Sequence, residues 1–164
     1  DTAAAAGHTS EARTLYETAL AVPGAGIALH AAYADLLLGS GLPQEALAAL
    51  AGLPDADAVL LRRAMAAKQL GLATFGDLRQ RLLDRFAEAR AFGADTLHLR
   101  EQALFALMVE ADADAALALA TENWTLQKGW EDAALLMQAA RAAGRAEVAR
   151  AIDDWRKPFD KGAI

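Results

Sequence analysis

Side chains able to do acid–base, nucleophilic or metal chemistry are few in this chain and poorly spaced for it. His8, His30 and His98 are the three histidines. None shares a helix turn with another or with a paired carboxylate, so the H-E-x-x-H arrangement that aims two imidazoles at one zinc ion is absent. The lack of cysteine removes thiolate nucleophiles, disulfides and Cys-ligated metal sites together. Ser10 and Ser40 are the only serines, both at expected turns or caps with no base arranged beside them. Glu101 and Asp84 are the carboxylates one would pair as acid and base, yet no spacing brings them together. The sequence predicts no catalytic residue, no metal site and no cofactor.

Two near-motifs fail for stated reasons. Glu110-Ala111-Asp112-Ala113-Asp114 starts like a calcium loop, but Ala115 stands where the loop needs glycine and Thr121 where it needs the bidentate glutamate. Capping of the following helix accounts for these acids. Gly24-x-Gly26 lacks the third glycine and preceding strand of a dinucleotide fingerprint and reads as a loop. Arg62, Arg63, Arg79, Arg81 and Arg85 form the basic cluster, and Asp77, Asp84 and Glu88 beside the last three predict a solvated, salt-bridged face. Trp124, Trp130 and Trp155 sit at helical spacing among alanine and leucine, as core or capping residues do.

Behind these residues stands an all-helical frame. Alanine fills about a quarter of the 164 positions while β-branched residues are scarce, which favours helix nearly everywhere. The net charge of −6 and four scattered lysines leave no basic stripe for a phosphate backbone, so nucleic acid is not an expected partner. Apolar runs such as Ala115 to Ala120 fall far short of the ~20 residues of a membrane span. The chain is expected to be soluble, with the compartment open between cytoplasm and bacterial periplasm.

The helices are punctuated by small-residue turns at a near-regular interval. Gly7, Ala12, Tyr16 and Ala19 recur 34 residues on as Gly41, Ala46, Leu50 and Leu53, and an offset of that size marks stacked helix pairs. The division expected is a single array over residues 1–157. It comprises an unpaired second helix (9–23) capped at Thr9 or Ser10, then pairs over 27–54, 57–92, 95–126 and 129–156. The second of these pairs has a long second helix, and Pro158 ends regular structure before a tail over 158–164. Gly41, Gly71 and Gly144 fall in the turns, and Ala111 stands where the fourth unit expects glycine. The first helix of the opening pair would lie before residue 1.

Taken together, Ala34, Gly41 and Ala46, then Ala64 and Gly71, then Gly144 and Ala149 make the chain resemble tetratricopeptide repeats. The segment His98 to Trp130 is also similar to the C-terminal part of bacterial tetratricopeptide proteins. The resemblance implies a right-handed α-α superhelix whose concave groove, lined by first helices, binds a protein or peptide. Carried onto this chain, the groove positions include Asp35, Leu38, Leu61, Met65, Lys68, Glu101, Phe105, Met108, Gln138 and Arg141. Ala31, Asp35, Leu61 and Met65 replace the Lys, Asn and Arg of the members that clamp a carboxylate tail, which disfavours that ligand. Leu61, Met65, Phe105 and Met108 suit an apolar helix or extended peptide instead. A non-catalytic scaffold is the implied role. The alternative is a purely structural C-terminal array that packs on upstream repeats or forms a homodimer through the exposed face of its N-terminal helix.

Overall fold

The computed structural model describes the backbone of residues 2–160 and the side-chain surroundings of residues 9–94, 96 and 98–157. The described residues are helical, in the order α1 (Thr2–Leu20), α2 (Ile27–Gly39), α3 (Pro43–Ala49), α4 (Asp57–Leu70), α5 (Phe75–Ala91), α6 (Leu99–Phe105), α7 (Ala113–Leu126), α8 (Trp130–Ala142) and α9 (Ala146–Asp160). A 3-10 turn at Asp95–His98 leads into α6, and a π-turn at Ala106–Glu110 leaves it. No helix is long and apolar enough to cross a membrane among the described residues. The chain forms two compact units, Asp1–Arg85 and Phe86–Ile164.

Within the first unit α2 packs on α3 and α4, and α3 packs on α4. Leu37, Leu50, Leu60, Leu61 and Leu82 are fully buried there, with Ala34, Ala46 and Ala64 between them. In the second unit α7 packs on both α6 and α8, and α8 on α9. Its core is built from Ala103, Ala116, Ala133, Leu136, Ala139, Ala140, Ala149 and Ile152. α2 also touches α4 in the first unit, and α6 touches α8 in the second.

Turns at the ends of several helices share one closure. Gly41, Gly71 and Gly144 have φ of 73°, 65° and 69°, a left-handed conformation that costs glycine nothing. The next residue then donates its N–H to a carbonyl five positions back: Leu42 to Leu37 at 2.9 Å, Leu72 to Ala67 at 2.9 Å and Arg145 to Ala140 at 2.7 Å. This is the Schellman end of a helix. The turn between α6 and α7 does the same with Ala111 at φ 57°, but Asp112 reaches six positions back, to Ala106 at 2.9 Å. The π-turn supplies the additional residue.

Three boundaries differ from the sequence expectation. Thr9 and Ser10 lie inside α1 instead of capping it, because the alanine run before them has the highest helix propensity available. α9 passes through Pro158 to Asp160. Proline there forgoes one hydrogen bond in the last turn, a smaller disruption than in a helix centre. The helix expected from Asp95 onward is divided into 3-10, α and π segments. Residues 161–164 of the expected tail lie outside the described residues.

Ala111 is the one non-glycine with positive φ among the described residues. A left-handed alanine costs about 1–2 kcal/mol, while glycine frees the unfolded chain by about 0.4–1 kcal/mol. Ala111→Gly is therefore expected to raise the unfolding free energy by about 0.5–1 kcal/mol, seen as a higher urea midpoint at unchanged slope. A lower midpoint would show that the turn is not strained.

Candidate interaction surface

The expected groove residues divide sharply by burial. Leu38, Leu61, Met65 and Phe105 are buried, and Phe105 packs edge-on against Phe86 with ring centroids 5.5 Å apart. These four side chains serve packing and present no surface in this structure. Lys68, Met108, Gln138 and Arg141 reach solvent, and Glu101 is half-buried. Asp35 is committed to a bidentate pair, receiving Arg62 Nε at 2.9 Å and Arg62 Nη2 at 2.6 Å. Arg62 is itself only 8% exposed, so this pair joins α2 to α4 and is not a free acid on a groove wall.

The basic cluster also works as joinery. Arg63 donates to the carbonyls of Leu50 at 2.8 Å and Leu53 at 3.0 Å, and to Asp55 Oδ1 at 2.7 Å. It thereby ties α4 to carbonyls at the C-cap of α3 and on the α3–α4 connection. Arg81 pairs with the other oxygen of Asp55, and Arg85 Nη1 lies 2.7 Å from Asp57 Oδ1. The expected partners within α5 are thus replaced for these two arginines by acids on the α3–α4 connection and the first turn of α4. Arg81, then Arg63, hold the Asp55 carboxyl below its ordinary range.

Two polar networks were not foreseen from sequence. In the first unit Tyr33 Oη donates to Glu17 Oε1 at 2.8 Å, Arg13 Nε donates to the same oxygen at 2.8 Å, and Arg13 Nη2 reaches Glu45 Oε2 at 2.6 Å. Tyr16 stacks on Tyr33 with centroids 5.6 Å apart. These contacts dock α1 on α2 and α3. His30 Nδ1 lies 3.0 Å from the Ala49 carbonyl. A carbonyl only accepts, so that nitrogen carries the proton.

In the second unit Asp132 is the centre, with its side chain 1% exposed. Its Oδ1 receives Arg100 Nε at 2.8 Å and Asn123 Nδ2 at 2.7 Å, while Oδ2 receives the Gly129 N–H at 2.9 Å. Gln127 Nε2 in turn donates to Asn123 Oδ1 at 2.8 Å. Four elements, α6, α7, the α7–α8 connection and α8, meet at one carboxylate. The signal available beforehand was the Gly129-to-Asp132 spacing, in which the third helical residue reaches back to the cap.

Asp112 accepts the Ala115 N–H at 2.9 Å and caps α7. No group of three or more His, Cys, Asp or Glu among the described residues could hold a metal ion. The three tryptophans gather where α7, α8 and α9 meet. Trp124 and Trp130 stand edge-on to Trp155 at 4.8 and 6.3 Å, Lys128 lies over Trp124, and Arg156 covers Trp130 at 5.1 Å. Trp130 is still 48% exposed, and Leu126 just before it 61%. At the other end of α8 an open cavity of about 420 Å³ lies against α9, lined by Arg141, Gly144, Ala146, Ala149, Arg150 and Asp153. Leading to it along one face of α8 are the exposed Glu131 and Gln138 with half-buried Ala134 between them.

Burial pushes the Asp132 carboxyl upward, but the bonds from Arg100, Gly129 and Asn123 outweigh it and hold the pKa below the ordinary value. A depressed carboxylate contributes stability that is complete above its unfolded pKa of about 4 and is lost as pH falls through the folded value. Asp132→Ala is expected to cost about 3 kcal/mol at pH 7, since it strands Arg100 and Asn123. It should also flatten the stability profile below about pH 4, as urea titrations across pH would record. An unchanged acid limb would assign that stability elsewhere.

No family model matches the chain, and no curated protein or solved structure matches it.

Proposed function

We propose that this chain is a non-catalytic protein- or peptide-binding module made of tetratricopeptide-like helix pairs, and that a partner lies along the exposed face of α8. The observation that carries this reading is the concave surface where α8 meets α9: an open cavity of about 420 Å³ within the range of ligand sites. It continues from the exposed stripe of Glu131, Gln138 and Arg141, and Gln138 and Arg141 are groove positions that the repeat resemblance implies. The alternation of buried and exposed side chains on α8 gives the partner a face that is not used for packing.

Panning a random dodecapeptide library on the immobilised chain is the direct test. Enriched peptides are expected to bind Gln138→Arg at least tenfold more weakly, the position being exposed and the fold unaffected by circular dichroism. The reading is overturned if no peptide is enriched, or if the enriched ones bind wild type and Gln138→Arg alike.

A second reading has its own observation. On α1, Leu15 is 66% exposed and Val22, just beyond its end, 61%, while Tyr16 turns the other way onto Tyr33. Self-association through this face predicts a concentration-dependent mass in sedimentation equilibrium that Leu15→Glu abolishes. A constant monomer mass up to about 100 μM, well above the micromolar Kd that weak interfaces reach, would exclude it.

A further inference from the structure

Half of the arginines of this molecule serve as its own joints. Arg13, Arg62, Arg63, Arg81, Arg85 and Arg100 each hold a carboxylate of the chain at 2.9 Å or less. Arg141 and Arg150 hold none among the described residues, and both line the cavity between α8 and α9. Arg90, Arg145 and Arg156 also hold none among the described residues, but in a chain of net charge −6 Arg141 and Arg150 line one concavity together and outnumber its single acid, Asp153.

From this we infer that the cavity receives a carboxylate side chain of an acidic peptide segment, gripped by the guanidinium groups of Arg141 and Arg150. The inference rests on the binding-module reading and names the partner's chemistry. Guanidinium is planar and presents paired donors that match the two oxygens of a carboxylate. Gly144, Ala146 and Ala149 contribute almost no side chain to the floor, and nothing lies within 4 Å of where a Gly144 Cβ would stand. An extended or helical segment can therefore approach closely. Asp153 is the third charged wall, and its nearest cation, Lys157 Nζ, is 4.0 Å away. A phosphate, near −2 at neutral pH, meets more repulsion from Asp153 than a singly charged carboxylate does. The ligand that fits best thus carries an acid for the two arginines and no second negative charge beside Asp153.

The probe is a fluorescein-labelled dodecapeptide of alternating glutamate, alanine and leucine, read by anisotropy on the full chain, with its glutamine counterpart and inorganic phosphate as comparators. Arg141→Ala and Arg150→Ala are each expected to weaken binding about tenfold, Asp153→Asn to tighten it severalfold, and Arg90→Ala, exposed on α5, to leave it unchanged. Affinity should fall as salt rises. Equal binding of the glutamine peptide, displacement by millimolar inorganic phosphate, or indifference to both arginine variants overturns the carboxylate assignment. If the glutamine peptide binds and responds to Gln138→Arg alone, the module stands and only this inference fails. If neither peptide binds, the inference fails, and library panning decides separately whether the module reading fails with it.

Discussion

Helices of this protein meet through alanine, and the rest of the structure follows from that. Ala34, Ala46 and Ala64 in the first unit and Ala103, Ala116 and Ala133 in the second are fully buried, so backbones approach closely where larger side chains would hold them apart. An alanine methyl removes little apolar area from water. The leucines around it contribute the area, and the alanines set the distance at which they interdigitate. A substitution that enlarged any one of these sites would have to displace a whole helix, since cores at this density do not yield locally.

Close backbones also bring polar groups into reach across helices. The Arg62–Asp35 pair and the Asp132 network lie at such joints, and each fixes which helix faces which. Apolar packing between alanine-rich faces discriminates poorly between one register and the next. A buried carboxylate that must find Arg100, Asn123 and the Gly129 N–H together has one solution, because any other leaves it desolvated and unpaired.

What could be read from the residues alone was local. The turn glycines were legible because a left-handed backbone is a requirement of single residues, and Ala111 was legible only through its place in the frame. The groove was not, for a reason visible in α2: its sequence is apolar nearly all round, and periodicity cannot then separate the face toward the core from the face toward a partner. Leu61 and Met65 are packed because α4 is buried around most of its circumference, Arg62 included. Nor could spacing find Asp35 for Arg62 or Asp132 for Arg100, since neighbours three or four apart on a helix are the ion pairs that sequence reveals. For Arg81 and Arg85 it pointed to acids on their own helix, where the fold offered Asp55 and Asp57 instead.

A π-turn is an α-helix carrying one residue too many. Between Phe105 and Asp112 the chain has absorbed a surplus position, and the helix-closing bond has lengthened from five residues to six to accommodate it. The two ends of that pair keep their partners while the intervening positions, Leu107 and Met108 among them, are rotated by about a quarter turn relative to an uninterrupted helix. The surplus is local: within Ala106–Glu110 the wider turn keeps Ala106 and Val109 buried while Met108 stands exposed.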